Sequence, residues 1–332
     1  MRAERFEVTR LLLIFGQETI EIDAGHEVRA VTFTANGEYL VNGASQCVQV
    51  WRVKDGERVA TVKVKDVRSV AVSKDGKFIA AGSFWGNVLV WDTATYEQVF
   101  ADKISGRPTI YAVDFSPDSS RLISADESNR TATIWDIAGR KKVRTLADRG
   151  EVLAAKYSPH DDRIATASEE SVRVWDSNDG QLLVDVKVGL KPWHGLHWLN
   201  NHLFVKTKGG KIKQIDASTG STVSEWSVPH DDDSCIALPQ HGKYIACSTK
   251  DDITFWNTST HTQLAHIPQS SLTSSIAFSP DDKLAIVAQG HKIIIKTLSL
   301  VEVKVRPVFF HYLSVREHLY LFLIHKGPGH SY

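Results

Sequence analysis

The chain has 332 residues, with 39 Lys plus Arg balanced by 39 Asp plus Glu. Zero net charge argues against a sequence-independent nucleic-acid binder, which needs a basic surface. Three cysteines, Cys47, Cys235 and Cys247, are too few and too odd in number for a disulfide framework, and they point to a reducing intracellular compartment, cytoplasmic or nuclear.

Residues 1–18 read as an N-terminal extension. Its apolar run LLLIF (11–15) is too short for a secretory signal and follows Glu4 and Glu7. No run along the chain approaches the ~20 apolar residues of a helical membrane span. From 19 to 305 one pattern recurs, in which a short alternating strand closes on Trp51, Trp91, Trp135, Trp175, Ile215, Trp256 and Lys296. The intervals are 40, 44, 40, 40, 41 and 40 residues, the length of a four-stranded propeller blade. Ahead of each lies a strand end and a tight turn, as in SKDGKFI, SPDSSRL, SPHDDRI and SPDDKLA, where Pro, Asp, Asn and Gly supply the turn geometry. Short β-rich runs at regular spacing predict antiparallel hairpins.

The expected fold is therefore all-β: a seven-bladed β-propeller of four-stranded antiparallel blades. The stretch ETIEIDAGHE (18–27) is built like the outer strands ERVATVKVKD and KKVRTLADRG. Residues 19–22, together with 11–15, are expected to close the ring against 276–296, which removes an exposed edge. Residues 306–332 form a C-terminal extension rich in apolar and aromatic groups, among them Phe309, Phe310, Tyr312, Tyr320 and Phe322. It reads as a segment packed on the last blade or as a docking segment.

The pairs Trp91-Asp92, Trp135-Asp136 and Trp175-Asp176, the Ser-Pro-Asp turns and Gly25-His26 resemble the WD-repeat (WD40) family over residues 19–300. Trp51 and Trp256 keep the aromatic without the Asp. The resemblance implies a non-catalytic scaffold or adaptor that holds a protein or peptide partner on the top face, and a monomeric propeller within a larger complex. In the family a His and a turn Asp hydrogen-bond toward the Trp through Ser or Thr. Here only His26 occupies the His slot, and the Asp slot holds Ser45, Trp85, Asn129, Glu169 and Lys250. The polar network is expected to be mostly missing, which is tolerable because half-satisfied networks cost more than absent ones. Blade 5, with Lys206, Lys208, Lys211 and no Trp, is expected to be the least stable.

The resemblance also places partner contacts at the mouth of each innermost strand: Glu27 and Arg29, Asp66 and Arg68, Thr109 and Tyr111, Glu151 and Leu153, Pro192 and His194, Asp232 and Ser234, Leu272 and Ser274. Spacing adds two insertions in top-face loops of blade 3, within FADKISGRPTIY and ADESNRTA. Blade 2 adds an aromatic pair, Phe84-Trp85, in its b–c turn. Arg, Tyr and Trp dominate interface energetics, and loops on a rigid scaffold carry function. The expected partner-binding residues are Arg29, Arg68, Phe84, Trp85, Arg107, Tyr111, Leu153 and His194, centred on blades 1–3. The competing reading folds Phe84 and Trp85 inward in place of the missing network, and pairs Arg29 and Arg68 with Glu27 and Asp66.

His194, His197 and His202 suggest a metal only superficially, because a spacing of three on a strand points side chains to opposite faces. HDDD (230–233) reads as a solvated loop. There is no phosphate-binding glycine loop and no nucleophile elbow. No catalytic residue, metal or cofactor is expected. The alternatives are a propeller-based hydrolase and a substrate receptor of a cullin-type ubiquitin ligase, whose Trp-Asp-x-Arg/Lys signature is absent after Trp91, Trp135 and Trp175. The regular turns also resemble the C-terminal sensor propellers of multidomain regulators.

Overall fold

Each of the seven sequence repeats folds into its own four-stranded antiparallel sheet in the computed structural model, which describes residues 8–305 apart from 161, 189–194, 208, 230–234 and 270. Blade 1 runs from the inside outward as Val28–Phe33, Tyr39–Ala44, Cys47–Arg52 and Arg58–Lys63. Blade 2 follows with Val67–Val72, Phe78–Ser83, Asn87–Asp92 and Gln98–Lys103, and blades 3 and 4 repeat that order. We call the four positions strands a to d. Blades 5 and 6 have shortened inner strands, Leu196–Leu199 and Ile236–Ala237, where blades 1–4 have six residues.

Burial follows position in the blade. Strand b packs against neighbours on both faces, so Phe78–Ser83, Arg121–Asp126 and Arg163–Ser168 are buried at every residue after the first. A strand covered on both sides loses the alternating pattern. Strand d, at the outer edge, is mostly exposed, as in Arg58–Lys63. Close approach of blades uses glycine: a Cβ on Gly43 would lie 2.4 Å from Val67 Cγ1, and one on Gly82 would lie 2.5 Å from Ile110 Cγ2.

The ring closes as the sequence predicts. The last blade is Thr273–Phe278, Leu284–Gln289, Lys292–Val305 and, outermost, Val8–Asp23. Both expected segments, 11–15 and 19–22, lie in that one strand. Leu13 is buried in a cluster with Tyr244 and Phe255, and the Phe15 and Phe255 rings sit 5.2 Å apart. The propeller unit is Leu11–Val301. A second unit, Met1–Arg10 with Glu302–Tyr332, is described only over 8–10 and 302–305, both extended. The aromatic extension 306–332 lies outside the described residues.

One expectation is corrected. The polar network around the tryptophans is rebuilt rather than missing. The Trp51 indole donates to Asn42 Oδ1 at 2.7 Å, Trp135 to Ser124 Oγ at 2.9 Å and Trp175 to Thr166 Oγ1 at 2.9 Å. The acceptors come from the fourth residue of strand b, so the empty Asp slot leaves these donors satisfied. Blade 4 extends the chain further: Thr166 Oγ1 approaches Asp148 Oδ2 at 3.5 Å, and Asp148 Oδ1 sits 2.7 Å from Arg173 Nη1, with side chains only 1% and 4% exposed. Among the described residues blade 5 has no counterpart. Ile215 fills the tryptophan position with no exposure, and the nearby Trp226 indole nitrogen is buried without a hydrogen bond. Lys206 of blade 5 is buried, at 6% exposure. The cysteines are all free and buried.

Candidate functional site

The b–c turn of blade 2, residues 84–86, is tied on both sides to d–a loops. Phe84 N donates to Asp66 O at 2.9 Å, and Ile104 N donates to Gly86 O at 2.9 Å. Gly86 has φ +78°, and a Cβ there would lie 3.1 Å from Ile104 O and 3.2 Å from Arg107 Cα. The inserted loop therefore presses against the turn and brings exposed Arg107 beside the Phe84-Trp85 pair. Inside the turn, Ser83 Oγ accepts from Trp85 N, Asn87 N and Asn87 Nδ2 at 2.9–3.2 Å.

The aromatic pair does not fold inward. Phe84 and Trp85 are 39% and 40% exposed, and their rings meet edge-to-face at 5.2 Å. Trp85 is held out by its own polar handle: the indole donates to Asp66 Oδ2 at 2.9 Å. The other oxygen of Asp66 accepts from Arg29 Nη1 at 3.2 Å, and Arg29 Nη2 donates to Glu27 Oε2 at 3.2 Å. Asp66 adopts φ +53°, a left-handed conformation uncommon outside Gly, Asn and Asp. The indole bond, followed by Arg29, holds its carboxyl below the usual range despite partial burial.

Arg68 differs from the expected pairing, because Arg29 has already taken both Glu27 and Asp66. Its guanidinium lies 5.3 Å from the Phe84 ring centroid, a cation–π contact. Its Nε is buried without a hydrogen bond. Burial first, and Arg29 second, lower its pKa. Tyr111 and Glu127 stand within electrostatic reach of Arg68, and burial pushes both of their pKa values up. Glu151 adds to the shift at Glu127 by repulsion. Six of the expected residues, Arg29, Arg68, Phe84, Trp85, Arg107 and Tyr111, thus share one sector of one face.

Two do not join them. Leu153 is 4% exposed and lines the central channel, a cavity of about 250 Å³ that Lys156 and His197 also border. A side chain so buried offers nothing to a partner docking at the rim. His194 lies outside the described residues, as do Pro192, Asp232, Ser234 and the HDDD run. His197 is engaged with Ile236 O at 2.8 Å. Among the described residues no group of three His, Cys, Asp or Glu could hold a metal, and no helix is long and apolar enough to cross a membrane. Sequence reasoning passed over Asp66 as the organiser of the sector. The signal was a Trp in the Asp slot of blade 2, with a carboxylate 19 residues earlier to meet it.

The pattern described as WD domain, G-beta repeat matches residues 17–52, 56–92, 100–136 and 140–176, which take in part of the closing strand and blades 1–4 apart from the outer strand of blade 4. The chain is 25% identical over 283 residues to Protein groucho of Drosophila melanogaster, covering 81% of this chain and 38% of that protein. It is 24% identical over 302 residues to Transcription factor unc-37 of Caenorhabditis elegans, covering 83% and 47%. To Transcriptional corepressor LEUNIG_HOMOLOG of Arabidopsis thaliana it is 22% identical over 274 residues, covering 80% and 34%. The chain spans less than half the length of each of these relatives.

Proposed function

We propose, for a chain that belongs to the WD40-repeat family, a non-catalytic scaffold that binds a protein or peptide partner on the top rim of blades 1–3. The observation that carries this reading is the Phe84-Trp85 pair. Two large aromatic groups stand about 40% exposed in a turn where the family places a buried polar residue, and a carboxylate–guanidinium bridge fixes them there. Fixing the anchors before binding lowers the entropy lost when a partner docks. Arg68, Arg107 and Tyr111 surround the pair with the other side chains that dominate interface hot spots. Two relatives are named for work in transcription, so nuclear regulatory assemblies are the first place to look for the partner. The test is affinity purification of the tagged chain from its native cells with mass spectrometry, beside a Phe84→Ala, Trp85→Ala variant. A set of proteins lost in the variant supports the rim site. An unchanged set means that the partner binds elsewhere.

A further inference from the structure

A guanidinium is costly to desolvate, and its five N–H donors need acceptors once water is displaced. The buried and half-buried arginines of the described chain have such acceptors, with one exception. Arg29 takes Glu27 and Asp66, Arg121 and Arg144 reach Asn178, and Arg173 takes Asp148. Arg52 and Arg163 likewise donate to side-chain oxygens. Arg68 does not. Its Nε is sealed from solvent without a hydrogen bond, and its terminal nitrogens make no hydrogen bond or ion pair among the described residues.

The surroundings explain why no group of the chain answers it. Arg29 already holds the two carboxylates at the start of the neighbouring inner strands. Glu127, further round the rim, is tied to Thr109, whose carbonyl accepts from Glu127 N at 3.3 Å. The Phe84 ring, 5.3 Å from the guanidinium, meets its charge but accepts none of its donors along their axes. Only Nε is sealed, so the terminal nitrogens stay within reach of a docking group.

The missing group is an anion, and its charge is set by the neighbours. Glu27, Asp66 and Glu127 lie within electrostatic reach of Arg68, and Glu151 within reach of Glu127. This setting repels a phosphoryl group, with nearly two charges, more than a carboxylate with one. A planar carboxylate also matches the guanidinium fork. Beyond Phe84, the Trp85 ring lies 5.2 Å further on and offers an apolar seat. An extended chain rises about 3.3 Å per residue and repeats its side every second residue. An acidic and an apolar side chain at i and i+2 therefore meet the guanidinium and the aromatic pair together.

We infer that Arg68 receives the side-chain carboxylate of an Asp or Glu from an extended partner segment, with an apolar residue two positions away seated on Phe84 and Trp85. The inference rests on the rim site of blades 1–3 and names the chemistry that this rim selects.

The probe is an array of capped octapeptides in a glycine-serine background, each carrying Glu and, two positions on, Leu, Phe or Trp, titrated into the full chain by calorimetry. Each has three twins: Gln in place of Glu, phosphoserine in place of Glu, and the Gln peptide with a free C-terminal carboxylate. At least one Glu peptide is expected to saturate and to bind about tenfold or more tighter than its Gln twin, the worth of a charge-assisted hydrogen bond. Arg68→Met should erase that difference. It should leave the thermal midpoint unchanged or raised, because it deletes a buried donor that has no acceptor. No Glu peptide binding better than its Gln twin, tighter binding of the phosphoserine or C-terminal twin, or a midpoint lowered by several degrees in Arg68→Met would each overturn the inference. Proteins lost from the Phe84→Ala, Trp85→Ala chain but kept by Arg68→Met would leave the rim site standing and remove the carboxylate assignment alone.

Discussion

Blade 4 and blade 5 are neighbours with opposite solutions to the same packing problem. Blade 4 keeps its tryptophan and satisfies it through Thr166, Asp148 and Arg173, a buried chain of polar contacts. Blade 5 discards both tryptophan and network: Ile215 fills the space, and its inner strand shrinks to Leu196–Leu199. The first arrangement is directional and fails when one member is removed. The second rests on apolar contact, which degrades gradually. An unsatisfied buried partner is more damaging than an absent one, so blade 4, with its tryptophan and polar chain, should be the more fragile to single polar substitutions.

The largest expected effect is at Asp148. Asp148→Ala leaves Arg173 buried with Asp185 as its one acidic partner among the described residues, and that Oδ1 is 3.3 Å from Nε without hydrogen-bond geometry. Loss of one partner of a buried ion pair costs about 3 kcal/mol or more, and urea unfolding would read it. A change below about 1 kcal/mol would show that the network contributes little. Ser124→Ala orphans the Trp135 indole in blade 3 and should cost about 1–3 kcal/mol. Trp226→Phe in blade 5 sharpens the contrast. It removes an indole nitrogen that already lacks a partner, so its cost should fall below that of Ser124→Ala despite the smaller ring. The reverse order would break the comparison.

A smaller effect is tied to pH. Burial and Glu151 raise the Glu127 pKa, so the folded state resists its ionisation. Its penalty is absent at low pH, where the group is protonated in both states, and grows as pH rises through the usual glutamate range. Glu127→Gln should therefore raise the thermal midpoint slightly at pH 7 and leave it unchanged near pH 3. Asp66 runs the other way. Its lowered pKa gives stability that is present above the usual aspartate range and lost as pH falls below it. In acid the Trp85 indole should lose its anchor, seen as a change in tryptophan fluorescence that the Trp85→Phe chain does not show.

The ring was legible because repetition carries it: seven in-phase steps set blade number, register and the closing strand at once. Side-chain substitution inside the repeat was less legible. The Asp slot lies six residues before each tryptophan and is easy to check, yet the working acceptors, Asn42, Ser124 and Thr166, sit nine or eleven residues before it on the adjacent strand. Only strand pairing brings them to the indole. The same holds at the rim. Spacing identified the inserted loop and the aromatic pair, but whether Trp85 turns in or out depends on Asp66, whose left-handed backbone the sequence does not display. Leu153 shows the converse, since a position at a strand mouth can still be buried against the channel wall.

The central claim is that a partner docks on the rim of blades 1–3. The most direct test is amide hydrogen exchange of the propeller with and without a partner recovered by affinity purification. The account predicts slowed exchange at residues 84–87 and 104–111, with blades 5 and 6 unchanged. Protection confined to blades 5 and 6, with residues 84–87 exchanging as in the free chain, would contradict it.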